Sequence, residues 1–311
     1  MGWDALAAQR AERLRELDLL TESQRPHPRP DWISAWDQLT AQQRADRSRD
    51  MEIYASMIDY MDESIGRMLQ HLRDIGAYEE TLIVFMSDNG PSKTTILDYI
   101  ALGGSSGEFF EQFDNGLDNR GRPGSSTDIG PGWAYAAASP LRLFKGYVAQ
   151  GGIQVPAVIK LPGQMTDAGT STNALVHVMD LMPTFLDMAD AEYPMSYAGT
   201  AVAPLQGVSL MPLLQGSGEP EDRELGWEAY GMTAYRQGNW KMLRQPPPYG
   251  NGKWQLYNLA VDPGELDDLA AEHPDRVAEL AEAWDRWAEA NEVILPSEPV
   301  AYARPVSPGK Y

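Results

Sequence analysis

The sequence predicts an α/β protein that carries a small antiparallel sheet with a packed helix at its carboxyl end. A long amphipathic helix pattern is followed by a short apolar run, an order typical of α/β folds. After residue 221 the chain instead holds short aromatic-rich segments separated by turn residues. Small and acidic residues with a proline at 216–221 indicate a boundary, which predicts domains over residues 1–215 and 216–311.

Composition excludes several classes of function. The 311 residues suffice for one large core or for a large domain with a small one. A formal charge of −20 opposes binding to nucleic acid or anionic lipid, and no apolar run approaches the roughly 20 residues that cross a bilayer. We therefore expect no nucleic-acid partner and no membrane partner. The absence of cysteine excludes disulfides and a thiol nucleophile.

The first predicted element is an amphipathic helix over residues 1–20. Its apolar side chains on one side are Leu6, Leu14 and Leu17. This segment lacks the continuous apolar region of a secretion signal, and the compartment is left open between cytoplasm and periplasm. Residues 20–38 are crowded with proline and tryptophan, which favours an extended connector to the next helix.

The second helix has the strongest periodicity in the chain, and we expect one broad face of it to pack against a core. The stripe that forms this face consists of Met51, Tyr54, Ala55, Ile58, Met61, Ile65, Met68, Leu69 and Leu72. Asp62 interrupts the stripe and is expected to be buried against a partner. Gly76 is expected to end the helix.

The central elements follow in order. Residues 81–86 form an apolar run that predicts a strand buried on both faces. Residues 91–132 are rich in Gly, Ser, Asn and Asp and predict a long functional loop with a weak helical patch near 97–102. Residues 153–160 predict a strand whose Pro156 restricts it to an edge or an end. Residues 180–188 predict a helix with a proline in its first turn.

The carboxyl-terminal part predicts a small antiparallel sheet closed by a helix. Three strands are expected in GWEAYGMTAYR, NWKMLR and KWQLYNL, joined by turns at 237–239 and 249–252. The final helix is expected to pack through Val277, Leu280, Trp284 and Trp287.

Oxygen-bearing side chains follow the strand at 81–86. Asp88 and Asn89 stand at its carboxyl end, where ligands gather in open α/β sheets. Carboxylate and amide oxygens suit Ca²⁺ or Mg²⁺. Asp-Asn-Gly is also a frequent turn sequence, and Ca²⁺ takes about 6–8 oxygens. Two side chains therefore predict only part of a metal site.

One lysine stands in a glycine-rich segment, FKGYVAQGG. Lys145 is suited to bind a tetrahedral anion as a point charge, or is a solvated surface lysine. Arg142 joins the same anion or forms a structural salt bridge. The histidines show no metal-binding spacing and are expected to be structural, with the ring of His177 satisfying backbone groups before the helix at 180–188.

Four segments in order resemble the sulfatase family, within the alkaline-phosphatase-like superfamily, and particularly bacterial arylsulfatases. They are YASMIDYMDESIGRMLQHLRDIGAYEETLIVFMSDNG, GPGWAYAAASPLRLFKGYVAQGGIQVPAVIKLPG, HVMDLMPTFLDMA, and NWKML with LYNLAVDPGE. The resemblance implies a partial alkaline-phosphatase-like mixed sheet with flanking helices, followed by the small antiparallel sheet and helix. It implies Ca²⁺, in preference to Mg²⁺, as the cofactor.

The resemblance also assigns residues. Asp88 and Asn89 match calcium ligands of the family, and Lys145 matches the lysine that binds the sulfate group and stabilises charge on the leaving oxygen. The family's nucleophile is a formylglycine made within C-x-P-x-R or S-x-P-x-R, and neither motif occurs in this sequence. The chain is therefore expected to be the carboxyl-terminal portion of a sulfuric ester hydrolase, inactive alone, with the missing amino-terminal portion as a partner.

Three alternatives stay open at this point. The chain is such a portion of a sulfate ester hydrolase, or a non-catalytic remnant that binds a partner. The third alternative is a phosphoester or phosphonate hydrolase of the same superfamily.

Overall fold

The computed structural model describes residues 1–102, 104–163, 169–218, 223–247 and 249–297, and it has a mixed α/β fold as expected. These residues form two compact units. The first comprises the described residues within 1–165, 226–235 and 239–297, and the second comprises those within 166–225 and 236–238. The predicted domain division at 215 and 216 stays a prediction, and part of its boundary segment lies outside the described residues. Among the described helices none is long and apolar enough to cross a membrane.

The helices and strands follow one another along the chain in a mixed order. The α-helices are α1 (Trp3–Glu16), α2 (Ala41–Asp74), α3 (Ile96–Leu102), α4 (Gly104–Glu111), α5 (Gly130–Ala138), α6 (Gln150–Ile153), α7 (Leu181–Met188), α8 (Met211–Leu214) and α9 (Pro274–Ala290). The strands are β1 (Ile83–Met86), β2 (Ala157–Lys160), β3 (Ser196–Tyr197), β4 (Thr200–Ala201), β5 (Glu224–Ala229), β6 (Met232–Gln237), β7 (Trp240–Arg244) and β8 (Gln255–Asn258).

The helix α1 is confirmed, and Leu6 of the predicted leucine side packs partly buried against a core cluster, but the fully buried residues of the helix are others. Trp3, Ala7 and Ala11 are buried, whereas Leu17 is 48% exposed. The ring of Trp3 packs edge-on against Trp133 of α5, with 5.6 Å between ring centroids. Small residues on this side let the tryptophan cluster approach closely, so aromatic packing decides the orientation of the helix.

The helix α2 is confirmed and is longer than its apolar stripe. The side chain of Thr40 accepts from the backbone N–H of Gln43, which starts the helix with a capping box. The predicted burial of the stripe is wrong for the described structure, since Ile58 is 42%, Met61 44% and Met68 60% exposed. Periodicity shows that a face is apolar and does not show what covers it.

Polar burial on α2 also differs from the prediction. Asp62 is exposed, whereas Asp50 is the buried carboxylate of the helix. The guanidinium groups of Arg47 and Arg120 form salt bridges with Asp50. Burial nevertheless raises the pKa of Asp50 above its ordinary value.

The strands β1 and β2 are confirmed and pair antiparallel, with Phe85 opposite Val158. Pro156 precedes β2, in agreement with the prediction of a strand end. Phe85 is 48% and Val158 65% exposed, so the predicted burial on both faces is wrong for these residues. Within the described chain the sheet has only these two strands, and no further layer covers the face that carries Phe85 and Val158.

The long segment 91–132 contains more regular structure than predicted. The helices α3 and α4 occupy most of its first half, and α5 begins at Gly130 with a proline in its first turn. Glycine and serine lower helix propensity by less than about 1 kcal/mol per residue, so local contacts can override it. The composition of this segment therefore predicted a longer loop than the structure contains.

The carboxyl-terminal sheet is confirmed, but it has four strands rather than three, in the order β5-β6-β7-β8. The first predicted strand is a hairpin that turns at Tyr230 and Gly231, with φ values of 55° and 83°. A tyrosine rarely adopts positive φ, so the turn carries a weak sequence signal. The predicted face of α9 is confirmed, with Leu280 and Trp284 buried in a core with strands β6–β8.

A second core joins the chain after α5 to the same sheet. Phe144, Tyr147 and Val148 are buried with Leu243 of β7 and Tyr257 of β8. Hydrophobic burial thus fixes the glycine-rich segment predicted to carry a binding lysine.

Candidate functional site

Two segments predicted to carry binding groups lie side by side. The chain leaves β1 at Asp88 and Asn89 and then runs along residues 142–152, which we call the lysine loop. The N–H of Gly90 donates to the carbonyl of Gly152 at 3.0 Å, and the N–H of Lys145 donates to the carbonyl of Pro91 at 3.0 Å. The backbone therefore places Lys145 near the residues that follow β1.

Glycine makes this approach possible. A Cβ atom on Gly90 would lie 1.8 Å from the carbonyl oxygen of Gly151. A Cβ on Gly151 would lie 2.2 Å from the carbonyl oxygen of Leu143. Glycines can let a backbone approach a ligand closely, but in the structure these glycines let two backbone segments touch.

The side chains of the predicted site face outward from this contact. Asp88 and Lys145 are exposed, Asn89 is half-buried and Gly90 is buried. The amide Nδ2 of Asn89 donates to the carbonyl of Gly90 at 3.0 Å, and the hydroxyl of Ser87 donates to the carbonyl of Asn89 at 2.9 Å. These bonds order the turn that holds Asp88 and Asn89.

A second lysine belongs to the same region and was not singled out from the sequence. Lys93 is buried, and its Nζ lies 5.9 Å from the ring centroid of Tyr147 in the lysine loop. Burial lowers the pKa of Lys93 below its ordinary value. The only sequence signal was a lysine four residues after Asn89 in SDNGPSK.

Among the described residues Arg142 forms hydrogen bonds to neutral groups instead of the predicted structural salt bridge. It is buried, its Nη1 donates to the hydroxyl of Tyr257 at 3.1 Å, and its Nη2 donates to the carbonyl of Tyr249. Burial raises the pKa of Tyr257 to about 12, so this hydroxyl stays protonated. Arg142 thus attaches the start of the lysine loop to the carboxyl-terminal sheet.

A buried ion pair lies beneath the other end of the lysine loop. The Nζ of Lys241 on β7 lies 2.7 Å from Oε1 of Glu265, and both side chains are fully buried. The same Nζ donates to the carbonyl of Val148 at 2.7 Å and to Oε1 of Gln150 at 2.8 Å. The sequence pattern did not reveal this pair, because its members are far apart in the chain.

The described part of the chain offers only some of the ligands that a metal site needs. No group of three or more His, Cys, Asp or Glu side chains there is placed to hold a metal ion. Asp88 and Asn89 offer one carboxylate and one amide, which fit a hard cation such as Ca²⁺ but give too few oxygens. Their assignment as metal ligands stays a prediction.

The expectation for His177 is confirmed. Its Nδ1 accepts from the N–H of Met179 at 3.3 Å, and burial lowers its pKa. The buried carboxylate of Asp180 next to it accepts two hydrogen bonds from the guanidinium of Arg223. This cluster stabilises the start of α7, so His177 is structural.

Family models match both parts of the chain. The model described as "Sulfatase" matches residues 20–191. The model described as "N-sulphoglucosamine sulphohydrolase, C-terminal" matches residues 142–286. The two matches overlap over the lysine loop.

Curated relatives agree with these models. The chain is 35% identical over 305 residues to an uncharacterized sulfatase of Schizosaccharomyces pombe, covering 96% of this chain and 54% of that protein. It is 35% identical over 210 residues to an arylsulfatase of Klebsiella aerogenes, covering 67% of this chain and 44% of that protein. The chain spans about half the length of the curated relatives that it matches.

A solved structure extends the likeness to the fold. The crystal structure of Ps i-CgsB in complex with k-i-k-neocarrahexaose superposes with a TM-score of 0.54 at 21% identity. The match covers 92% of this chain and 54% of that one. It shows the fold alone, and the expected alkaline-phosphatase-like α/β fold is confirmed.

Proposed function

Because this chain belongs to the sulfatase family, we propose that it supplies the metal-facing oxygens and the anion-binding lysine of a sulfuric ester hydrolase. The observation that carries this proposal is the backbone contact between the end of β1 and the lysine loop. Two hydrogen bonds of 3.0 Å hold Asp88, Asn89 and Lys145 within one local structure. The side chains of Asp88 and Lys145 are exposed, and that of Asn89 is half-buried.

The chemistry of these groups suits a sulfate ester. Asp88 and Asn89 would hold Ca²⁺ together with further oxygen ligands, and the bound cation would polarise the sulfate oxygens. Lys145 would bind the sulfate group and stabilise negative charge on the ester oxygen as its bond to sulfur breaks. Preorganised charge of this kind is commonly a large part of catalysis.

The nucleophile must come from residues outside this sequence. Neither C-x-P-x-R nor S-x-P-x-R occurs in the 311 residues, so a formylglycine cannot form here by the family's route. The activity therefore requires residues that match the part of the relatives that this chain does not cover. Alone, the chain does not hydrolyse sulfate esters.

Exposed apolar surfaces support such a partner. Ile58, Met61 and Met68 form an open stripe on α2, and the register partners Phe85 and Val158 form an open apolar pair on β1 and β2. Contiguous exposed apolar surface marks an interaction site. The remainder of a sulfatase domain is the occupant that we propose for both surfaces.

A non-catalytic remnant is the second candidate. It is favoured by the lack of a metal-binding cluster among the described residues and by the missing nucleophile motif. Under this hypothesis the same apolar surfaces would bind a partner without any turnover.

An activity measurement tests the proposal. The chain alone, and the chain mixed with a polypeptide carrying C-x-P-x-R and the rest of the sulfatase domain, are assayed with 4-nitrophenyl sulfate and 4-nitrophenyl phosphate. We expect turnover of the sulfate ester only in the mixture, and a fall of about 10²–10³ in kcat for Lys145→Ala. The exposed Lys253→Ala is the matched control and should keep full activity.

Three results would overturn the proposal. Turnover by the chain alone would show that the nucleophile is present here. Faster turnover of the phosphate ester would assign a phosphoester hydrolase, and a fully active Lys145→Ala mixture would remove the role of the lysine.

A further inference from the structure

We propose that Lys241 and Glu265 are positioning residues, which fix the lysine loop through its backbone and thereby set the place of Lys145. The geometric claim stands on the contacts of the pair alone. Its consequence for catalysis rests on the proposed function.

The ammonium group of Lys241 donates hydrogen bonds to buried groups of the fold. It donates to the carbonyl of Val148 at 2.7 Å, to Oε1 of Gln150 at 2.8 Å and to Oε1 of Glu265 at 2.7 Å. An ammonium has three donors, so each has an acceptor. Two of the three acceptors belong to the lysine loop.

Glu265 completes the attachment from the other side. Its Oε2 accepts from the backbone N–H of Gln150 at 3.1 Å. The pair therefore binds the loop at a carbonyl three residues after Lys145 and at an N–H five residues after it. A donor and an acceptor of the loop backbone are both held, which fixes the orientation of the peptide groups and not only their distance.

The turn that carries Glu265 is itself ordered. Glu265 has φ of 54°, a conformation that costs a non-glycine residue roughly 1–2 kcal/mol. Oδ2 of Asp262 accepts from the N–H groups of Leu266 and Asp267 at 2.8 and 2.9 Å. A backbone in this conformation persists only where the surrounding contacts determine it, and here they direct the carboxylate under the loop.

Stability alone does not explain a buried ion pair. Replacing both members of such a pair by apolar residues is often neutral or stabilising, since the desolvation penalty offsets the attraction. Apolar side chains, however, cannot hold the carbonyl of Val148 or the N–H of Gln150. The pair is therefore expected to contribute loop geometry rather than net stability.

Hydrogen–deuterium exchange read by mass spectrometry separates these two contributions in the full chain. Lys241→Met leaves Glu265 buried without its cation, and we expect a lower melting temperature and faster exchange in peptides over residues 142–154. Lys241→Met/Glu265→Leu should recover the melting temperature, while exchange over 142–154 stays at least tenfold faster than in the parent. The exposed Lys253→Met is the matched control and should change neither quantity.

Two outcomes would overturn the inference. If the double variant recovers both the melting temperature and slow exchange over 142–154, hydrophobic packing alone holds the loop. If exchange rises equally over α9, the pair stabilises the whole unit and does not position the loop. Because the measurement needs no turnover, its result is independent of the proposed activity, and a lower kcat of the double variant in the active mixture tests the catalytic consequence separately.

Discussion

At the scale of single residues, the site is supported by buried groups that local patterns do not reveal. Asp88, Asn89 and Lys145 could be proposed from local patterns, because each stands at a strand end or beside glycines, and their roles stay predictions. The partners of the lysine loop were not, since Glu265 lies 24 residues from Lys241 and 115 from Gln150 in sequence. A charged residue in a strand pattern is normally exposed, so its burial appears only when distant partners are known.

Histidine gives a prediction at this scale. His27 donates its backbone N–H to the carbonyl of Pro140 at 2.8 Å, and its Nδ1 bonds to the carbonyl of Pro28 at 2.8 Å. Burial first, and then the positive charge of Arg142, lower the pKa of His27 below 6.5, against weaker opposing effects of Pro28 and Glu265. The folded state therefore prefers the neutral ring.

The sign of the pH dependence follows from this preference. Stability from His27 is complete above pH 6.5 and is lost as pH falls from there through the folded-state pKa, because the unfolded chain binds the proton first. His27→Asn should remove up to about 1.4 kcal/mol per pH unit of this loss. Urea unfolding at pH 7, 6 and 5 measures it, and an unchanged slope for the variant would contradict the prediction.

At the scale of elements, periodicity predicted which segments are regular better than it predicted what they contact. The helices α2, α7 and α9 and the strands β1 and β2 were predicted from apolar patterns and are present. The helix α3 lies where a weak helical patch was predicted near 97–102, whereas α4 was missed because its Gly and Ser residues mask a helical segment that local contacts hold. The burial of α2 was wrong because a stripe reports an apolar face and not its partner.

The contact between β1 and the lysine loop gives a prediction at the scale of elements. Gly90→Ala places a Cβ 1.8 Å from the carbonyl oxygen of Gly151, so the two segments must separate. Overpacking of this kind costs about 1–3 kcal/mol, and we expect a loss of that size in the free energy of unfolding. The measurement is chemical denaturation.

A second glycine supplies the control for this substitution. Gly66 lies within α2, and a Cβ atom added to it would meet no other atom within 4 Å. Gly66→Ala should therefore stabilise the chain by about 0.5–1 kcal/mol through helix propensity. Equal effects of the two substitutions would show that steric contact at Gly90 is unimportant.

At the scale of the whole molecule, a strongly acidic chain presents apolar side chains that the described residues leave exposed. The net charge of −20 opposes association, whereas the stripe on α2 favours it. Which force prevails depends on ionic strength. At 0.15 M salt the repulsion between charges more than about 8 Å apart is largely screened, whereas the hydrophobic attraction remains.

Self-association provides the prediction at this scale. Met61→Gln/Met68→Gln makes the stripe polar without changing the charge, and we expect roughly tenfold weaker self-association, or about 1.4 kcal/mol. Sedimentation velocity at 0.15 M salt measures the change. Met195→Gln is the control, because Met195 is 91% exposed but lies outside the stripe. The same loss in the control would indicate general loss of hydrophobicity instead of a specific surface.

The position of Arg142 and Lys241 has a consequence for how this protein can be divided. Both attach the lysine loop to the small carboxyl-terminal sheet, one at Tyr249 and Tyr257 and the other from within β7. That sheet supports the proposed active centre, although it lies about a hundred residues after the lysine loop in the chain. A shortened protein that ends before β6 would keep every proposed ligand but would lose the sheet to which the lysine loop is attached.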